Sequence, residues 1–285
     1  MRRRSRTEAL VGLVVIASAA SCGGAETRAR DARSTAATSP PSTRGTAPER
    51  SSPFARALAP DRWLAPLERD HPLVGRVWSP ARGAFVDADE VAREVGRARY
   101  VLLGEKHDDP DHQRLAVAWI ETIAAADRRP SVVFEMLDAD RQSAIEAAFA
   151  RDPSTRSDPD VLARAIGWTE SGWPFARYRP VVAAALAASF DVRAGNYPRD
   201  RTRRLVREGE AALEAGERAR LGLDRVLPDA QRAALEREMA DSHCGMLPAT
   251  MLGPMALAQR ARDGEMAAAM VASGERGSLL VAGSG

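Results

Sequence analysis

The sequence predicts an α/β fold with a mostly parallel central sheet flanked by helices, and two patterns support this prediction. Short apolar runs without alternation are typical of strands buried on both faces, and four occur: RYVLLGE (99–105), SVVFEM (131–136), FDVRAGN (190–196) and SLLVAG (278–283). Helical segments separate the first three runs, and strands that alternate with helices usually pair in parallel. From about residue 200 to 274 the pattern is helical without a strand, which predicts a helical cap or insertion on the sheet.

The helices between these strands can be assigned in chain order. After the first strand, PDHQRLAVAWIETIAAAD places Leu115, Trp119 and Ile123 at helical spacing, so that they form one apolar face. RQSAIEAAFA follows the second strand, and PVVAAALAAS precedes the third. A weaker hairpin precedes the sheet around GRVWSPARGAFVDADE, where SPARG supplies the turn.

The N-terminus resembles a bacterial lipoprotein signal peptide over residues 1–22. The cationic MRRRSR precedes the apolar ALVGLVVIASAAS, which leads to AASC, so we expect Cys22 to be lipidated. Ala19 stands where such motifs usually have leucine, and ordinary secretion is the alternative. We therefore expect an exported bacterial lipoprotein that is attached to the membrane through a lipid anchor, at the outer membrane or facing the periplasm.

Composition also predicts where the folded domain lies. Residues 23–60 are rich in Ser, Thr, Ala, Pro and Arg without apolar periodicity, which predicts a disordered tether. The composition becomes globular from residue 61, so we expect one folded domain over 61–285. The sequence stops at VAGSG, directly after a predicted core strand. Because domains rarely end at such a point, we expect the natural domain to continue past Gly285, which makes this chain truncated at its C-terminus.

Charge and cysteine content exclude two classes of function. The net charge is +2, and the 41 basic residues, all arginine except Lys106, are spread along the chain, so no nucleic-acid-binding patch is expected. The two cysteines, Cys22 and Cys244, are too few for a zinc finger.

Polar side chains stand at the ends of three predicted strands. Glu105 and His107 follow the first strand, Glu135 lies in the second, and Asn196 ends the third. Open parallel sheets bind ligands beyond the carboxyl ends of their strands. Glu105, His107 and Glu135 are therefore candidate catalytic or ligand-binding residues.

Each of these residues also has a structural interpretation. The group after the first strand is compatible with a solvated loop that starts a helix, with Asp108 or Asp111 as its N-cap. Glu135 is compatible with the solvated end of the sheet. His112, on the first turn of the next helix, either faces His107 or is an exposed histidine at a helix start.

Seven segments together carry a resemblance to a known family. In order they are LLGEKHDDPDHQ, VVFEML, GWTESGWPFARYRPVV, AGNYPR, DSHCGMLP, AQRARDGEMA and LLVAGSG. Over about residues 95–285 the chain resembles the ChaN-like haem-binding uptake lipoproteins of the Tiki-like superfamily. In that superfamily a G-x-x-H at the first strand, a Glu at the second and another G-x-x-H at a late strand form the site. Gly104–His107 and Glu135 match the first two parts, and the third would start at Gly283, with its histidine one position after Gly285.

The resemblance implies a haem-binding lipoprotein of iron or haem uptake, which holds haem between the sheet edge and the helical cap. Haem iron takes an axial Tyr, His or Met, and the candidates are Tyr178, Tyr197, His243 and Met246. The implied protein partners are an outer-membrane haem or iron receptor and a second copy of the chain in a homodimer.

The superfamily also implies an alternative function, a metal-dependent hydrolase similar to the Tiki proteases or the esterase branch. A divalent metal would activate water, and His107, Glu135 and His112 are then the candidate ligands. A solute-binding or scaffolding lipoprotein with an unused ancestral site is a third hypothesis. The sequence leaves open whether the protein is an enzyme.

Overall fold

The computed structural model describes residues 51–168 and 173–284. The predicted signal peptide, Cys22 and the tether up to residue 50 lie outside these ranges. Within them, a four-stranded sheet and a separate two-stranded hairpin are accompanied by helices. The predicted α/β class is confirmed.

The bounds of the elements follow the predicted pattern closely. The strands are β1 Val77–Ser79, β2 Ala84–Val86, β3 Tyr100–Glu105, β4 Ser131–Asp138, β5 Asp191–Asn196 and β6 Ser278–Gly283. The α-helices are α1 Pro53–Ala57, α2 Ala88–Arg97, α3 Pro110–Ala125, α4 Gln142–Arg151, α5 Pro159–Ala165, α6 Phe175–Ala187, α7 Arg199–Glu208, α8 Glu217–Arg220, α9 Asp229–Ser242 and α10 Ala249–Val271. Short 3-10 helices span Pro60–Arg62, Ala139–Arg141, Pro153–Arg156, Gly209–Ala212 and Gly274–Arg276. No helix in the described ranges is both long and apolar enough to cross a membrane.

The last strand of the chain lies inside the sheet rather than at its edge. The strand order is β3-β6-β4-β5, and all three pairings are parallel. Ser278 at the start of β6 is level with Tyr100 of β3 and with Ser131 of β4. The carboxyl ends of these strands therefore meet at one edge of the sheet, where Glu105 is level with Gly283.

Side-chain alternation gives the sheet two apolar faces, each covered by helices. One face includes Leu103 and Val281 and packs in a single core with Ile120 of α3 and with residues of α6. The opposite face includes Val133 and packs with Met266 of α10. The edge of the sheet at which the carboxyl ends of the strands meet thus lies between two helical layers. Helices α3 and α6 lie on one side of the sheet, and α10 lies on the other.

The helical cap predicted for residues 200–274 is present as α7 to α10. Its longest helix, α10, approaches the end of α8 so closely that a Cβ atom on Gly264 would lie 2.4 Å from the carbonyl oxygen of Leu221. Arg220 joins the same two helices by donating to both carboxylate oxygens of Glu265, at 2.8 and 2.7 Å. A glycine and a bidentate ion pair therefore fix α8 against α10.

The folded part of the chain begins earlier than predicted. Composition places residues 51–60 in the tether, but α1 lies within them and packs on the core. Phe54 is 1% exposed and stacks on Trp119 of α3, with ring centroids 3.7 Å apart. Residues 53–57 are therefore helical where a tether was predicted, because Phe54, Ala57 and Leu58 pack on the core and composition does not register such contacts.

A buried aspartate holds the segment after α1 against the start of α3. Asp111 is 1% exposed, and its carboxylate accepts hydrogen bonds from the main-chain nitrogens of Leu64 and Ala65, at 2.8 to 3.0 Å. Arg114 donates to the same carboxylate at 3.0 Å. Asp111 therefore makes a tertiary contact. The N-cap of α3 is Asp109, not Asp108 or Asp111.

We expect Gly264→Ala to lower stability more than Gly253→Ala, a substitution in the same helix. Gly264→Ala places a methyl group against the Leu221 carbonyl and should cost about 1–3 kcal/mol. A Cβ atom added at Gly253 would have nothing within 4 Å apart from its chain neighbours. One of these is Pro254, whose ring crowds a preceding side chain in a helix, and this offsets the gain of about 0.5–1 kcal/mol that alanine otherwise brings to a helix. Urea unfolding of both variants measures the difference, and equal effects would contradict the close approach of α10 to α8.

Asp111→Ala should lower the free energy of unfolding by about 2–4 kcal/mol, because two main-chain donors and Arg114 lose a charged acceptor. Limited proteolysis should then cut the segment around Leu64 faster than in the unchanged protein. Asp200→Ala is the control, since the Asp200 side chain is 95% exposed and lies in α7. Similar proteolysis of the two variants would show that Asp111 does not hold this segment.

Candidate functional site

The carboxylate of Glu105 is buried at the end of β3, where three groups donate to it. Glu105 is 3% exposed. Its Oε1 accepts from the Tyr178 hydroxyl at 2.8 Å and lies 2.9 Å from Nδ1 of His107. Its Oε2 accepts from the Gln113 side-chain amide at 3.1 Å. A carboxylate without such partners would be costly to bury, so β3, α3 and α6 are joined at this one group.

His107 directs one ring nitrogen at Glu105 and the other towards the opposite face of the sheet. An ionised carboxylate only accepts hydrogen bonds, so the contact with Glu105 places the imidazole proton on Nδ1. Nε2 then carries the lone pair, and it lies 4.0 Å from Oε2 of Glu135. Arg177 donates to the His107 carbonyl at 2.8 Å, and the Trp173 ring meets the imidazole edge-to-face at 4.5 Å between centroids. The ring is thereby held at several points with Nε2 free to act as an acceptor or ligand.

Gly283 provides the space in which the His107 ring lies. A Cβ atom at this position would lie 2.8 Å from Nε2 of His107 and 3.6 Å from Oε2 of Glu135. The first distance is shorter than van der Waals contact and the second is an ordinary contact, so a side chain at residue 283 would displace the imidazole. The glycine at the end of β6 is therefore part of the site although it supplies no functional group.

Glu135 is buried like Glu105, but it is paired with a cation. It is 5% exposed, and its Oε1 accepts from Arg262 of α10 in a close ion pair. Its Oε2 accepts from the main-chain nitrogen of Gly283 at 2.6 Å. Arg262 also donates to Asn196 at 3.1 Å, and Asn196 donates to Asp138 at 2.9 Å. The polar residues at the ends of β4 and β5 are thus linked through one arginine of the cap.

His107 and Glu135 line a cleft of about 440 Å³ between the sheet edge and the cap. Its apolar walls come from Trp173, from Leu235 of α9 and from Met266 of α10. A cleft of this size, with apolar walls and a few polar groups, is typical of small-molecule sites.

The other wall of the cleft is acidic. Glu238 of α9 and Asp263 of α10 line it, together with Gln259 and Arg262. Partial enclosure by the protein raises the pKa of Asp263 above its usual value, and the carboxylates of Glu238 and Glu135 act in the same direction. Arg262 is already paired with Glu135, so this wall carries excess negative charge.

The structure brings Glu105, His107 and Glu135 together, but it places the two predicted tyrosines in the protein interior. Tyr178 is 0% exposed, and Tyr197 is 1% exposed within a core cluster of the cap. Burial, followed by the bond to Glu105, raises the pKa of Tyr178. Burial and the Glu217 carboxylate raise the pKa of Tyr197. Both phenols are therefore neutral groups in the interior, and neither lines the cleft.

Three other predicted residues lie away from the cleft lining. His112, in the first turn of α3, is bonded to the loop before that helix, since its Nδ1 accepts from the main-chain nitrogen of Lys106 at 2.6 Å. His243 is exposed at the end of α9, where its Nδ1 lies 2.8 Å from the Met239 carbonyl oxygen. Met246 is 84% exposed in the loop after α9. Residue type alone does not show whether a side chain lines a pocket.

The described residues contain no group of three or more His, Cys, Asp or Glu side chains that could hold a metal ion. His107 and Glu135 approach each other, but both oxygens of Glu135 are occupied by Arg262 and Gly283. The predicted divalent-metal site of His107, Glu135 and His112 is therefore not supported.

Arg262 and Gln113 are site residues that the sequence did not predict. Arg262 stands in AQRARDGEMA, one of the segments that carry the resemblance, but nothing distinguishes it from the other arginines of the chain. Gln113 follows His112 at the start of α3 and has no pattern of its own. The proximity of Trp173 to the strand ends becomes visible only in the fold.

Comparison with solved structures gives one fold neighbour with substantial overlap. The structure described as "Cofacial heme binding to ChaN of Campylobacter jejuni" matches with a TM-score of 0.59 and 20% identity, over 71% of this chain and 77% of that chain. At this identity the likeness concerns the fold. The type III effector HopBA1 overlaps with a TM-score of 0.38 and 11% identity, over 68% of this chain and 70% of that chain.

The family is given by a sequence profile. No protein with a curated description matches the chain. The profile described as haem-binding uptake, Tiki superfamily, ChaN matches residues 91–285, which is more than half of the chain. This protein therefore belongs to the ChaN family of haem-binding uptake proteins in the Tiki superfamily.

Proposed function

We propose that this protein binds haem in the cleft between the sheet edge and the cap, with Nε2 of His107 facing the iron, and that it serves in haem or iron uptake. Family membership supplies the ligand class. The observation that supports this binding position for haem is the Glu105–His107 pair. In it, a buried carboxylate fixes the ring and leaves Nε2 open to the cleft. Histidine ligands of metals are commonly held by a carboxylate in this way.

The residues of the cleft fit a flat apolar ligand. Trp173, Leu235 and Met266 offer apolar surface around the imidazole, and a haem pocket needs such walls beside one axial ligand. The iron supplies the coordination chemistry when haem is bound. The protein's own residues orient the imidazole and hold the proton of its neutral form on Nδ1, next to Glu105.

Charge in the cleft favours one orientation of the ligand. Glu238 and Asp263 present carboxylates to the cleft, while the guanidinium of Arg262 is paired with Glu135. The haem propionates are anionic, so like charges at this wall are unfavourable. Contacts between the propionates and the wall formed by Glu238 and Asp263 would therefore be unfavourable.

His107 is a better candidate for the axial ligand than the four residues predicted from sequence. Tyr178 and Tyr197 are buried, so either would need the core to repack before it could reach a ligand. His243 and Met246 are exposed outside the cleft lining. His107 alone among these five residues combines a lining position with a carboxylate behind the ring.

The proposal includes export as a lipoprotein. The cationic and apolar N-terminus with Cys22 supports a lipid anchor at the outer membrane, and residues 23–50 supply a polar connection to α1. Such an anchor would hold the cleft near a membrane receptor for haem or iron, and a homodimer is part of the same hypothesis.

His107→Ala should weaken binding of hemin by about 10–100-fold, because the cleft then lacks the only imidazole among its lining side chains. The measurement is a hemin titration of the full chain followed by the Soret absorbance. His243→Ala tests the rival candidate and should leave the affinity unchanged. An unchanged affinity for His107→Ala, or a loss for His243→Ala, would contradict the proposed position.

Gly283→Ala should weaken hemin binding by about tenfold or more, since the added methyl group displaces the His107 ring from its orientation. The matched control is Gly253→Ala, which adds a methyl group where nothing apart from the chain neighbours lies within 4 Å. Thermal melting monitors folding in parallel. Wild-type affinity in a folded Gly283→Ala variant would show that the position of the imidazole does not matter for the ligand.

A further inference from the structure

We propose that the edge of the sheet opposite the cleft binds a membrane surface that carries anionic phospholipid headgroups. The amino ends of the strands form this edge, where Ser278 is level with Tyr100 and Ser131, and Ser131 is level with Asp191. The inference rests on the export part of the proposed function, because an exported lipoprotein works beside a membrane. It does not depend on haem or on the residues that line the cleft.

Arginines are concentrated at this amino edge of the sheet. The three positions directly before each of the four strands contain one acidic residue, Glu275, and five arginines, which are Arg97, Arg99, Arg128, Arg129 and Arg276. The folded part of the chain is not basic in general, since residues 51–285 contain more acidic than basic side chains. The positive charge at the starts of the strands is therefore a local feature of this edge.

The contacts of Arg128 and Arg129 fix their guanidinium groups without neutralising them. Arg128 donates to the carbonyl oxygens of Ala98, at the end of α2, and of Arg276. Arg129 donates to the carbonyl oxygen of Ala124, in the last turn of α3, at 3.2 Å. The C-terminus of a helix carries only about half of an elementary negative charge. Most of the arginine charge is therefore available to an anionic partner.

The ion pairs at this edge are exposed and can be exchanged for contacts with headgroups. The Arg276 side chain is 58% exposed, and its Nη1 lies 2.7 Å from Oδ2 of Asp191. The Arg129 side chain is 46% exposed, and its Nη2 lies 3.7 Å from Oδ1 of Asp127. Exposed pairs contribute little to stability and are screened by salt. Guanidinium groups in such pairs can bind phosphate oxygens, for which arginine has a suitable geometry.

The acidic groups of the site lie at the other end of the strands. Glu105 and Glu135 are buried at the carboxyl edge, and Glu238 and Asp263 line the cleft. An anionic surface attracts the basic edge and repels the acidic one. The distribution of charge therefore orients the domain with its cleft directed away from the membrane.

The chain enters its folded part at the basic end of the sheet. The main-chain nitrogen of Phe54, at the start of α1, donates to the Thr122 hydroxyl in the last turn of α3, at 3.0 Å. Helix α3 follows the carboxyl end of β3 and returns to the level at which β4 begins. A lipid anchor at Cys22 would therefore be connected to the basic edge. Such a tether raises the effective concentration of this edge at the membrane surface.

The first test measures amide hydrogen exchange of the full chain on two kinds of vesicle. Vesicles of phosphatidylcholine alone are neutral, and vesicles that also contain phosphatidylglycerol are anionic. Only the anionic vesicles should slow exchange in residues 97–99, 127–129 and 274–277, while the loop 106–109 beside the cleft should exchange at an unchanged rate. Equal exchange of the three segments on both kinds of vesicle, or protection of 106–109 instead, would overturn the proposal.

The second test measures the affinity for anionic vesicles by co-sedimentation. The triple variant Arg97→Gln, Arg129→Gln, Arg276→Gln should bind these vesicles about tenfold or more weakly than the unchanged chain, because each arginine near an anionic surface adds to the attraction. Lysine at the same three positions keeps the charge and should keep the affinity. A loss of affinity in a folded lysine variant would contradict the electrostatic argument.

A matched control removes the same charge elsewhere on the surface. The triple variant Arg203→Gln, Arg204→Gln, Arg232→Gln changes side chains of the cap that are 63%, 55% and 55% exposed, and it should bind anionic vesicles almost as well as the unchanged chain. The N-terminal arginines are the same in all variants, so they do not affect the comparison. Equal losses in the two glutamine variants would overturn the proposal. If the edge variant does not fold, the exchange measurement on the unchanged chain decides.

Free phosphate and nucleic acid present the same anionic oxygens as a lipid headgroup. At equal ionic strength, phosphate should release the protein from anionic vesicles no better than chloride does, and stronger release would assign the edge to free phosphate. Tighter binding of a duplex oligonucleotide than of the vesicles, lost in the edge glutamine variant, would assign the edge to nucleic acid. Either result would overturn the membrane assignment.

A hemin titration of the same variants separates this inference from the proposed haem site. The edge glutamine variant should bind hemin as the unchanged chain does, because the substituted arginines lie at the opposite edge of the sheet from the cleft. If no variant binds hemin but vesicle affinity is still lost only in the edge variant, the haem proposal fails and the membrane-binding edge is supported. If hemin binds and the anionic vesicles are not preferred, the membrane-binding edge fails alone.

Discussion

The carboxylate of Glu105 is the constraint on which both the packing and the site depend. It is buried at the end of β3, and its donors come from α6, from α3 and from the loop that follows its own strand. Loss of any one of them would leave a buried charge with fewer hydrogen bonds, which is costly. The requirement that stabilises α3 and α6 on this face of the sheet therefore also orients the imidazole of His107.

The strand order places that imidazole between two carboxylates on opposite faces of the sheet. Because β6 lies between β3 and β4, its last residue, Gly283, separates the ends that carry Glu105 and Glu135. Alternation directs Glu105 to the α3 and α6 side together with Leu103, and Glu135 to the α10 side together with Val133. A side chain at Gly283 would fill the space that the His107 ring needs. One glycine at the end of a central strand thus allows one ring to reach both faces.

The elements of the fold were predictable because each leaves a local signal in the sequence. Continuous apolar runs indicate the four sheet strands, and the polar residues at their ends point to Glu105, His107 and Glu135 from the sequence alone. The order of the strands leaves no such signal, since pairing between distant segments depends on tertiary contacts. The position of the last strand in the middle of the sheet is therefore visible only in the fold.

The partners of the site residues were harder to predict for a different reason. A tyrosine or histidine can bind a ligand only if its side chain is accessible in the fold. The residue type alone does not indicate that accessibility. Tyr178 is interior and His243 is exposed, although both are plausible ligands by chemistry. Arg262 is one of many arginines, and only the approach of α10 to the strand ends reveals that it pairs with Glu135.

The two carboxylates differ in charge balance, and this difference determines which nitrogen of His107 stays free. The Glu105 carboxylate accepts from a phenol, an amide and the imidazole, which as neutral groups leave it a strong acceptor. The Glu135 carboxylate is paired with the guanidinium of Arg262, and its Oε2 lies 4.0 Å from Nε2 compared with 2.9 Å for the contact of Glu105 with Nδ1. The proton of a neutral imidazole is therefore held on Nδ1. Were the arginine beside Glu105 instead, the proton would be favoured on Nε2 and the lone pair would face the core. Arg262 thus contributes to the site without contacting His107, because by neutralising Glu135 it keeps Nε2 open to the cleft.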